Sequence, residues 1–409
     1  MKTVHLIRHG ETEQNVLKVW QGHTDTSLNK TGLQQANLLA SRLKDSNAPV
    51  YSSDLKRASE TASFLSKKIE LRETLREINV GDFTGKSVGQ TFSSNNEIFE
   101  SLQDDSYQFP NGERVKEFKQ RVKNELDFIF ANIENGSEAI VVTHGFFIGT
   151  AIGLTIGFSN YPFPIGNIEN TSISTLIKRD SIIQVNKFND SLHLSELNID
   201  FPRETTENKI TFIRHGQTDS NKSGIWQGHI DNPLNEIGKN TAQKLRNTFD
   251  QYDVYLSSTY QRALETLSLV VDDEDILTSE NLIEMNLGNW EGLTTLEIME
   301  QYHDDFINAL FLDYKCKYGI NGESTHEAGV RVENLLKEYA EKNLLMASHG
   351  GTIKAGVTNL LKAPENKAAS SFTIPNNLGV CCLVLKENKY FLWSYNVGKI
   401  GYENISYNQ

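Results

Sequence analysis

Leu6-Ile7-Arg8-His9-Gly10-Glu11-Thr12, near the start of this 409-residue chain, returns almost unchanged at Phe212–Thr218, which reads FIRHGQT. Each copy follows a short apolar run, which is typical of a buried β-strand. An asparagine stands six residues beyond each histidine, as Asn15 and Asn221. A single motif of this length carries little weight, whereas a repeat with the same flanking residues indicates a repeated reactive site.

Further segments repeat in the same order. The first copy has Gln21–His23, Ser52–Ala58, Leu75–Glu77 and His144–Gly145, and the second has Gln227–His229, Ser257–Ala263, Leu282–Glu284 and His349–Gly350. Corresponding residues are separated by 205 to 207 positions. Self-similarity at a fixed offset is the signature of a duplicated unit. The chain therefore consists of two tandem copies of a unit of about 200 residues.

Each copy alternates strand and helix patterns. In the first copy we expect strands at Thr3–Ile7 and Ala139–Val142, helices at Gly32–Lys44, Leu55–Lys67 and Glu113–Ile133, and a β-rich end at Ser172–Leu197. Apolar strands that alternate with helices favour a parallel sheet. The prediction is an α/β fold of two tandem three-layer α/β/α sandwich domains, each with a mainly parallel sheet. We place the domains at residues 1–200 and 209–409, with a polar linker at 201–208.

Composition excludes several classes of function. The formal net charge of −13 argues against a nucleic-acid partner. The longest apolar stretch, Phe146–Phe158, is too short for a bilayer span of about 20 residues, so no membrane association is expected. Only Cys316, Cys381 and Cys382 occur, which argues for a cytoplasmic location and against a disulfide framework or a zinc site.

Polar side chains follow the predicted strands. His9, Ser52–Ser53 and His144 do so in the first copy, and His215, Ser257–Ser258 and His349 do so in the second. In open α/β sheets the ligand lies outside the carboxyl ends of the strands. Three strand ends that each deliver a polar or basic group would suit a compact pocket for an anion.

In all these segments both halves resemble the histidine phosphatase superfamily, the phosphoglycerate mutase-like proteins. The resemblance covers nearly the whole chain. It implies a phosphoryl transfer through a phosphohistidine that needs neither a metal nor a cofactor, with small phosphorylated metabolites as substrates. It also implies catalytic roles for His9 and His215 as nucleophiles and for Glu77 and Glu284 as proton donors. The phosphate-binding residues implied by the resemblance are Arg8, Asn15, Gln21, Arg57 and His144, with Arg214, Asn221, Gln227, Arg262 and His349.

The chemistry of these residue types fits such a reaction. A neutral imidazole attacks phosphorus when its other nitrogen donates a hydrogen bond that fixes the tautomer. Planar guanidinium groups hold the spread negative charge of the transferring group. A carboxyl group that donates a proton near neutral pH needs a raised pKa. His23 and His229 are expected to shape the loop after Gln-Gly rather than to contact phosphate.

Three functions remain open at this point. The leading hypothesis is a phosphatase with an active site in each domain. The segments expected to cover the two pockets, residues 91–112 and 293–313, contain no lysine or arginine, whereas a mutase needs extra cations there. The alternatives are a phosphoglycerate mutase-type phosphomutase and a non-catalytic module that binds phosphorylated ligands. The two domains are also expected to pack on each other as a pseudo-dimer, by analogy with a homodimer.

Overall fold

The chain divides into two compact units, Met1–Arg203 and Glu204–Gln409. The computed structural model describes residues 1–93, 102, 104–197, 208–246, 248, 249, 251–271 and 275–398. The predicted linker at 201–208 lies outside the described residues except for its last residue, Asn208, which begins a strand. Much of the first predicted covering segment, residues 94–101, lies outside them as well.

The first domain contains one six-stranded sheet. Its strands are β1 Lys2–Arg8, β2 Val50–Ser53, β3 Ile69–Arg72, β4 Glu138–Thr143, β5 Ile173–Arg179 and β6 Ile182–Asp190. The strand order is β3-β2-β4-β1-β5-β6. The β1–β5 and β5–β6 pairings are antiparallel, and the other three are parallel. Its helices are α1 Glu13–Val16, α2 Lys30–Arg42, α3 Lys56–Ser63, α4 Val88–Ser93, α5 Val115–Asn132 and α6 Gly145–Ile156, with 3-10 turns at Glu73–Leu75, Gly81–Phe83 and Leu192–Leu197.

The second domain repeats this topology. Its strands are β7 Asn208–Arg214, β8 Val254–Ser258, β9 Ile276–Ser279, β10 Leu344–Ser348, β11 Val380–Lys386 and β12 Lys389–Val397, in the order β12-β11-β7-β10-β8-β9. Its helices are α7 Asp219–Lys222, α8 Glu236–Gln243, α9 Gln261–Val270, α10 Thr295–Ile307, α11 Thr325–Glu338, α12 Gly350–Leu360 and α13 Glu365–Ala368. A π-helical turn at Asn308–Leu312 and 3-10 turns at Glu280–Leu282 and Gly288–Trp290 complete it.

The predicted α/β fold with a mainly parallel sheet is confirmed in both domains. Helix α3 is shorter than the predicted Leu55–Lys67 and ends at Ser63. There the N–H groups of Phe64 and Leu65 bond to carbonyls three residues back. Such bonds tighten a last helical turn and end it. The apolar composition of the segment could not show this local change.

The central strands carry the core. In β4 every residue from Ala139 to Thr143 is buried, on both faces of the strand. A strand that is covered on both faces has a continuous apolar sequence, and the apolar run at Ala139–Val142 predicted this strand. The apolar stretch at residues 146–158 lies mostly in α6, a helix of 12 residues. In the part of the chain that the structure describes, no helix is both long and apolar enough to cross a membrane.

Two glycines allow a helix to approach each copy of the repeated motif. A β-carbon added at Gly32, in α2, would lie 2.2 Å from the backbone oxygen of Glu11. One added at Gly238, in α8, would lie 2.2 Å from the backbone oxygen of Gln217. Real β-carbons do not approach backbone so closely, so these glycines keep the loop after each motif histidine in place.

We expect Gly32→Ala to lower the free energy of unfolding of the first domain by about 1–3 kcal/mol, the usual cost of forcing an extra methyl into a packed site. Gly89→Ala is the matched control, because no atom lies within 4 Å of a β-carbon there. In helix α4 that change should be neutral or gain up to about 1 kcal/mol. Urea midpoints of the two variants measure the difference, and equal midpoints would contradict this packing role.

Candidate active site

Each motif histidine stands at the end of a central strand with one ring nitrogen fixed. The Nδ1 atom of His9 lies 2.7 Å from the carbonyl oxygen of Gly10, and His215 makes the same 2.7 Å contact with Gly216. A carbonyl oxygen only accepts, so Nδ1 carries the proton in both rings. The other nitrogen, Nε2, therefore carries no proton, which is the tautomer that a nucleophile requires.

Both rings are almost fully buried, with 3% and 2% of their surface exposed. Burial lowers the pKa of His9 well below 6.5, and the charges of Arg57 and Arg8 lower it further. The pKa of His215 is lowered in the same way by burial, Arg214 and Arg262. Both imidazoles are consequently neutral at physiological pH.

Two further side chains, not predicted from the sequence, hold the backbone around each motif histidine. In the first domain Gly10 N–H donates to Thr61 Oγ1 over 3.0 Å, and Asn170 Nδ2 donates to the His9 carbonyl over 2.8 Å. Thr266 and Asn377 repeat both contacts in the second domain, at 2.9 Å each. The fixed offset of the repeat was the signal that could have identified them.

The second histidine of each copy lies beside the first. The ring centres of His9 and His144 are 5.2 Å apart, as are those of His215 and His349. Both second histidines are fully buried. Burial is the main reason that their pKa lies well below 6.5, and the charge of the neighbouring arginine, Arg57 or Arg262, lowers it further. Their Nε2 atoms lie 2.9 Å from Ser53 Oγ and 2.8 Å from Ser258 Oγ. The predicted convergence of three strand ends is thus present in each domain.

Arg57 and Arg262 are buried in equivalent positions but bond differently. The Nη atoms of Arg57 donate to the carbonyls of Thr24 and Gly22, at 2.7 and 2.9 Å. Its Nε donates to His9 Nε2 over 3.3 Å, whereas Nε of Arg262 donates to His349 Nδ1 over 3.1 Å. Burial lowers the pKa of Arg57 to about 10, so the side chain stays cationic at neutral pH.

Arg8 and Arg214 each donate one Nη to a carbonyl, that of Ile168 in the first domain and that of Pro375, at 2.6 Å, in the second. Within the described residues, the buried Nε atoms of both arginines have no hydrogen-bond partner. An unpaired buried donor is costly, and a phosphate oxygen would remove that cost.

The predicted amide residues are held through their oxygens. Asn15 Oδ1 accepts from Thr12 N–H at 3.0 Å, and Asn221 Oδ1 accepts from Thr218 N–H at 3.2 Å. The side-chain oxygens of Gln21 and Gln227 accept from the same two threonine hydroxyls at 3.1 Å. This arrangement turns the donor end of each amide away from the threonine.

Each predicted proton donor lies at the N-terminus of the helix that follows the second histidine. Glu77 accepts from the N–H groups of Phe146 and Phe147, at 3.0 and 3.2 Å, and Glu284 accepts from those of Gly351 and Thr352, at 3.2 and 3.0 Å. Burial raises the pKa of Glu77, and this effect outweighs the opposing Phe146 and Ile78 hydrogen bonds and the charges of Arg57 and Arg8.

A partly buried ion pair anchors the loop that carries each carboxylate. Arg121 binds Glu113 at 2.8 Å and also donates to the carbonyls of Thr74, Arg76 and Glu77. Arg331 binds Glu323 in the same way and also reaches the carbonyl of Ile283. These pairs were not predicted from the sequence, although their spacing of eight residues is identical in both copies.

The two Gln-Gly histidines differ. His23 Nε2 donates to the Glu77 carbonyl over 2.8 Å, so it shapes the loop that carries the carboxylate. Its counterpart, His229, is exposed and lies 5.9 Å from the ring of Tyr260. Among the described residues, no group of three or more His, Cys, Asp or Glu side chains is arranged to hold a metal ion.

Comparison with known proteins gives the same duplication. The model of the histidine phosphatase superfamily (branch 1) matches residues 4–191 and 210–398. A metal-independent phosphoserine phosphatase of Arabidopsis thaliana is 34% identical over 202 residues, 47% of this chain and 83% of the relative. A probable phosphoglycerate mutase GpmB of Photorhabdus laumondii is 30% identical over 181 residues, 42% of this chain and 84% of the relative.

A solved structure of a phosphoserine phosphatase mutant from Entamoeba histolytica in complex with phosphoserine is 26% identical in sequence. It covers 46% of this chain and 97% of its own, with a TM-score of 0.42. Each of these proteins is therefore matched by about half of the chain.

Arg121→Met should destabilise the first domain by about 1–3 kcal/mol, because it removes the charged partner of Glu113 and one hydrogen-bond donor from each of three carbonyls. Arg114→Met is the matched control, since Arg114 is exposed and makes a 3.3 Å contact with Gln108. Thermal unfolding of both variants measures the effect. The anchoring role of Arg121 would be wrong if the two variants melted at the same temperature.

Proposed function

This chain belongs to the histidine phosphatase superfamily (branch 1), and on that premise we propose a metal-independent phosphatase that hydrolyses small phosphate monoesters through a phosphohistidine, with an active site in each domain. The observation that carries the proposal is the neutral histidine whose Nδ1 is bonded to the next carbonyl, present in both domains. Relatives named as phosphatases support the reaction class.

In the first step the Nε2 atom of His9 or His215 attacks phosphorus in line. The N–P bond forms as the bond from phosphorus to the ester oxygen breaks, and Glu77 or Glu284 gives its proton to the departing oxygen. In the second step a water, deprotonated by the same carboxylate, attacks phosphorus and breaks the N–P bond. The products are an alcohol and inorganic phosphate, and the histidine is regenerated.

Cationic side chains surround the position that the transferring phosphoryl group would occupy. Arg8 and Arg57 in the first site supply buried cationic donors toward the equatorial oxygens, and His144 adds a neutral one. The Arg57 Nε bond to His9 Nε2 must give way before attack, because it engages the lone pair that forms the N–P bond. A phosphate oxygen replaces that acceptor, so substrate binding itself frees the nucleophile.

Hydrolysis is favoured over a mutase reaction by the charges near the second site. Lys315 and Lys317 follow its covering segment, and each is already paired, with Glu365 at 2.8 Å and with Glu327 at 2.7 Å. A mutase must hold a carboxylate and a second phosphate, which needs cations that are not already neutralised. Both domains contain the full set of proposed catalytic and phosphate-binding residues, which argues against a module that only binds ligands.

Hydrolysis of p-nitrophenyl phosphate in the presence of EDTA tests the reaction class. We expect His9→Ala and His215→Ala each to remove part of the activity and the double variant to remove all of it. His5→Ala is the matched control, because His5 lies in β1 and bonds to Thr175 and Glu138 instead of the site. An intact chain that is inert with and without a bisphosphoglycerate primer would overturn the phosphatase proposal.

Glu77→Gln, made in the His215→Ala chain, tests the proton donor. With an alkyl phosphate we expect kcat/KM to fall about 10²–10⁴-fold, the usual contribution of a general acid. Glu77 donates only while protonated, so the advantage of Glu over Gln should shrink as the pH rises through its raised pKa. With p-nitrophenyl phosphate, whose leaving group needs no proton, the loss should be much smaller. Equal losses with both esters would argue against this role.

A further inference from the structure

A cavity of about 170 Å³ lies in the second domain, between α11, α12 and the segment that follows α12. Its lining includes Tyr314, Thr325, His326, Ala355, Thr358 and Ala368. None of the described residues that line it belongs to the proposed catalytic or phosphate-binding set. Thr358 stands seven residues after Gly351 in α12, about 10 Å along the helix axis. The cavity is therefore separate from the active site.

Two buried polar atoms of the lining residues, His326 Nδ1 and Thr358 Oγ1, have no hydrogen-bond partner within the described part of the chain. The side chain of Thr358 belongs to a residue that is only 3% exposed. A helical threonine often donates to the carbonyl four residues back, as Thr150 and Thr155 do in α6, at 2.7 Å each. Thr358 does not make this bond, so its hydroxyl remains available at the cavity wall. A buried polar atom without a partner costs free energy, which a bound molecule would recover.

The first domain fills the corresponding place with rings of its own chain. Gly153 stands in α6 where Thr358 stands in α12, and a β-carbon added at Gly153 would lie 2.5 Å from the ring of Phe163. Phe163 packs in turn on Tyr161, with ring centres 4.3 Å apart, and both rings are buried. An aromatic ring therefore lies directly against this position of the helix in the first domain.

Small residues leave this place open in the second domain. Ala355 lines the cavity at the helix position where Thr150 bonds to the Tyr161 hydroxyl in the first domain. Ala363 and Ala368 line it from the segment after α12. The volume of about 170 Å³ is sufficient for one six-membered ring, since an apolar cavity of about 150 Å³ binds benzene.

The walls of the cavity suit a neutral aromatic molecule. Tyr314 and His326 pack edge to face with ring centres 5.1 Å apart, and further rings pack favourably on such a pair. The cation of the lining, Lys362, is exposed and is already paired with Glu333 at 2.8 Å. An anionic ligand would have to compete with Glu333 for it, whereas a neutral ligand needs no countercharge.

We propose that this cavity is a second ligand site, for a neutral molecule with one planar six-membered ring and a polar substituent that bonds to Thr358 and His326. The ring takes the place that Phe163 fills in the first domain. A hydroxyl or amide substituent suits these partners, because a threonine hydroxyl both donates and accepts. The ligand packs against α12, the helix whose first N–H groups hold Glu284. The proposal goes beyond the phosphatase function and does not depend on it.

Titrations of the full chain with two fluorinated probes, followed by fluorine NMR, test the proposal. The first probe, 4-fluorophenol, has one ring and a hydroxyl group, and the second, fluorobenzene, has the ring alone. We expect saturable binding of 4-fluorophenol with a dissociation constant on the order of 0.1–1 mM, the strength that so few atoms can supply.

Thr358→Val removes the hydroxyl and keeps the shape of the side chain. It should weaken the binding of 4-fluorophenol about threefold to tenfold, the usual effect of one lost hydrogen bond, and leave that of fluorobenzene unchanged. Ala368→Leu fills the cavity and should abolish the binding of both probes. Thr155→Val, in the equivalent helix of the first domain, is the matched control and should change neither dissociation constant.

Two results would overturn the proposal. The first is the absence of saturable 4-fluorophenol binding to the intact chain, which would mean that the cavity holds only water. The second is an equal dissociation constant in Thr358→Val, Ala368→Leu and Thr155→Val, which would mean that the probe binds elsewhere. If Ala368→Leu fails to fold, the Thr358→Val chain decides alone, because an equal effect on both probes contradicts the proposed hydrogen bond.

Discussion

The hydrogen bond from the Nδ1 proton of each motif histidine to the following carbonyl is the constraint on which both sites depend. It selects one tautomer and leaves Nε2 unprotonated. The bond exists only because the backbone after the strand turns its carbonyl back onto the ring. Thr61 and Asn170 hold that turn in the first domain, and Thr266 and Asn377 hold it in the second. Removing any of these contacts would loosen the motif histidine without altering its imidazole.

Burial of this site leaves polar groups without water and also shifts the pKa values of its titratable groups. It withdraws the second histidines and the arginines from water, so carbonyl, hydroxyl and imidazole partners hold the site together. Among the residues that the structure describes, the Nε atoms of Arg8 and Arg214 have no hydrogen-bond partner. The same low-polarity surroundings keep both motif histidines neutral and raise the pKa of Glu77. A neutral imidazole, a carboxyl group with a raised pKa and buried cationic donors are the groups that the proposed transfer from a phosphate dianion would use.

Much of the fold was predictable because the repeat supplies every pattern twice. The buried strands and the helix at Lys30–Arg42 followed from apolar periodicity, and the convergence of His9, Ser53 and His144 followed from the parallel sheet. The early end of α3 and the Arg121–Glu113 pair depend on local bonds that no periodicity records. The sequence also could not predict that the Nε atoms of Arg57 and Arg262 have different partners, because both arginines stand in the same motif.

The central claim is that both histidines carry the phosphoryl group. Mixing the intact chain with a rapidly hydrolysed ester, stopping the reaction in alkali within the first turnovers and analysing the peptides by mass spectrometry tests it directly, because phosphohistidine survives base. We expect phosphorylation at Nε2 of His9 and of His215. Turnover with no phosphate on either histidine would contradict it, and so would phosphate found only on other residues.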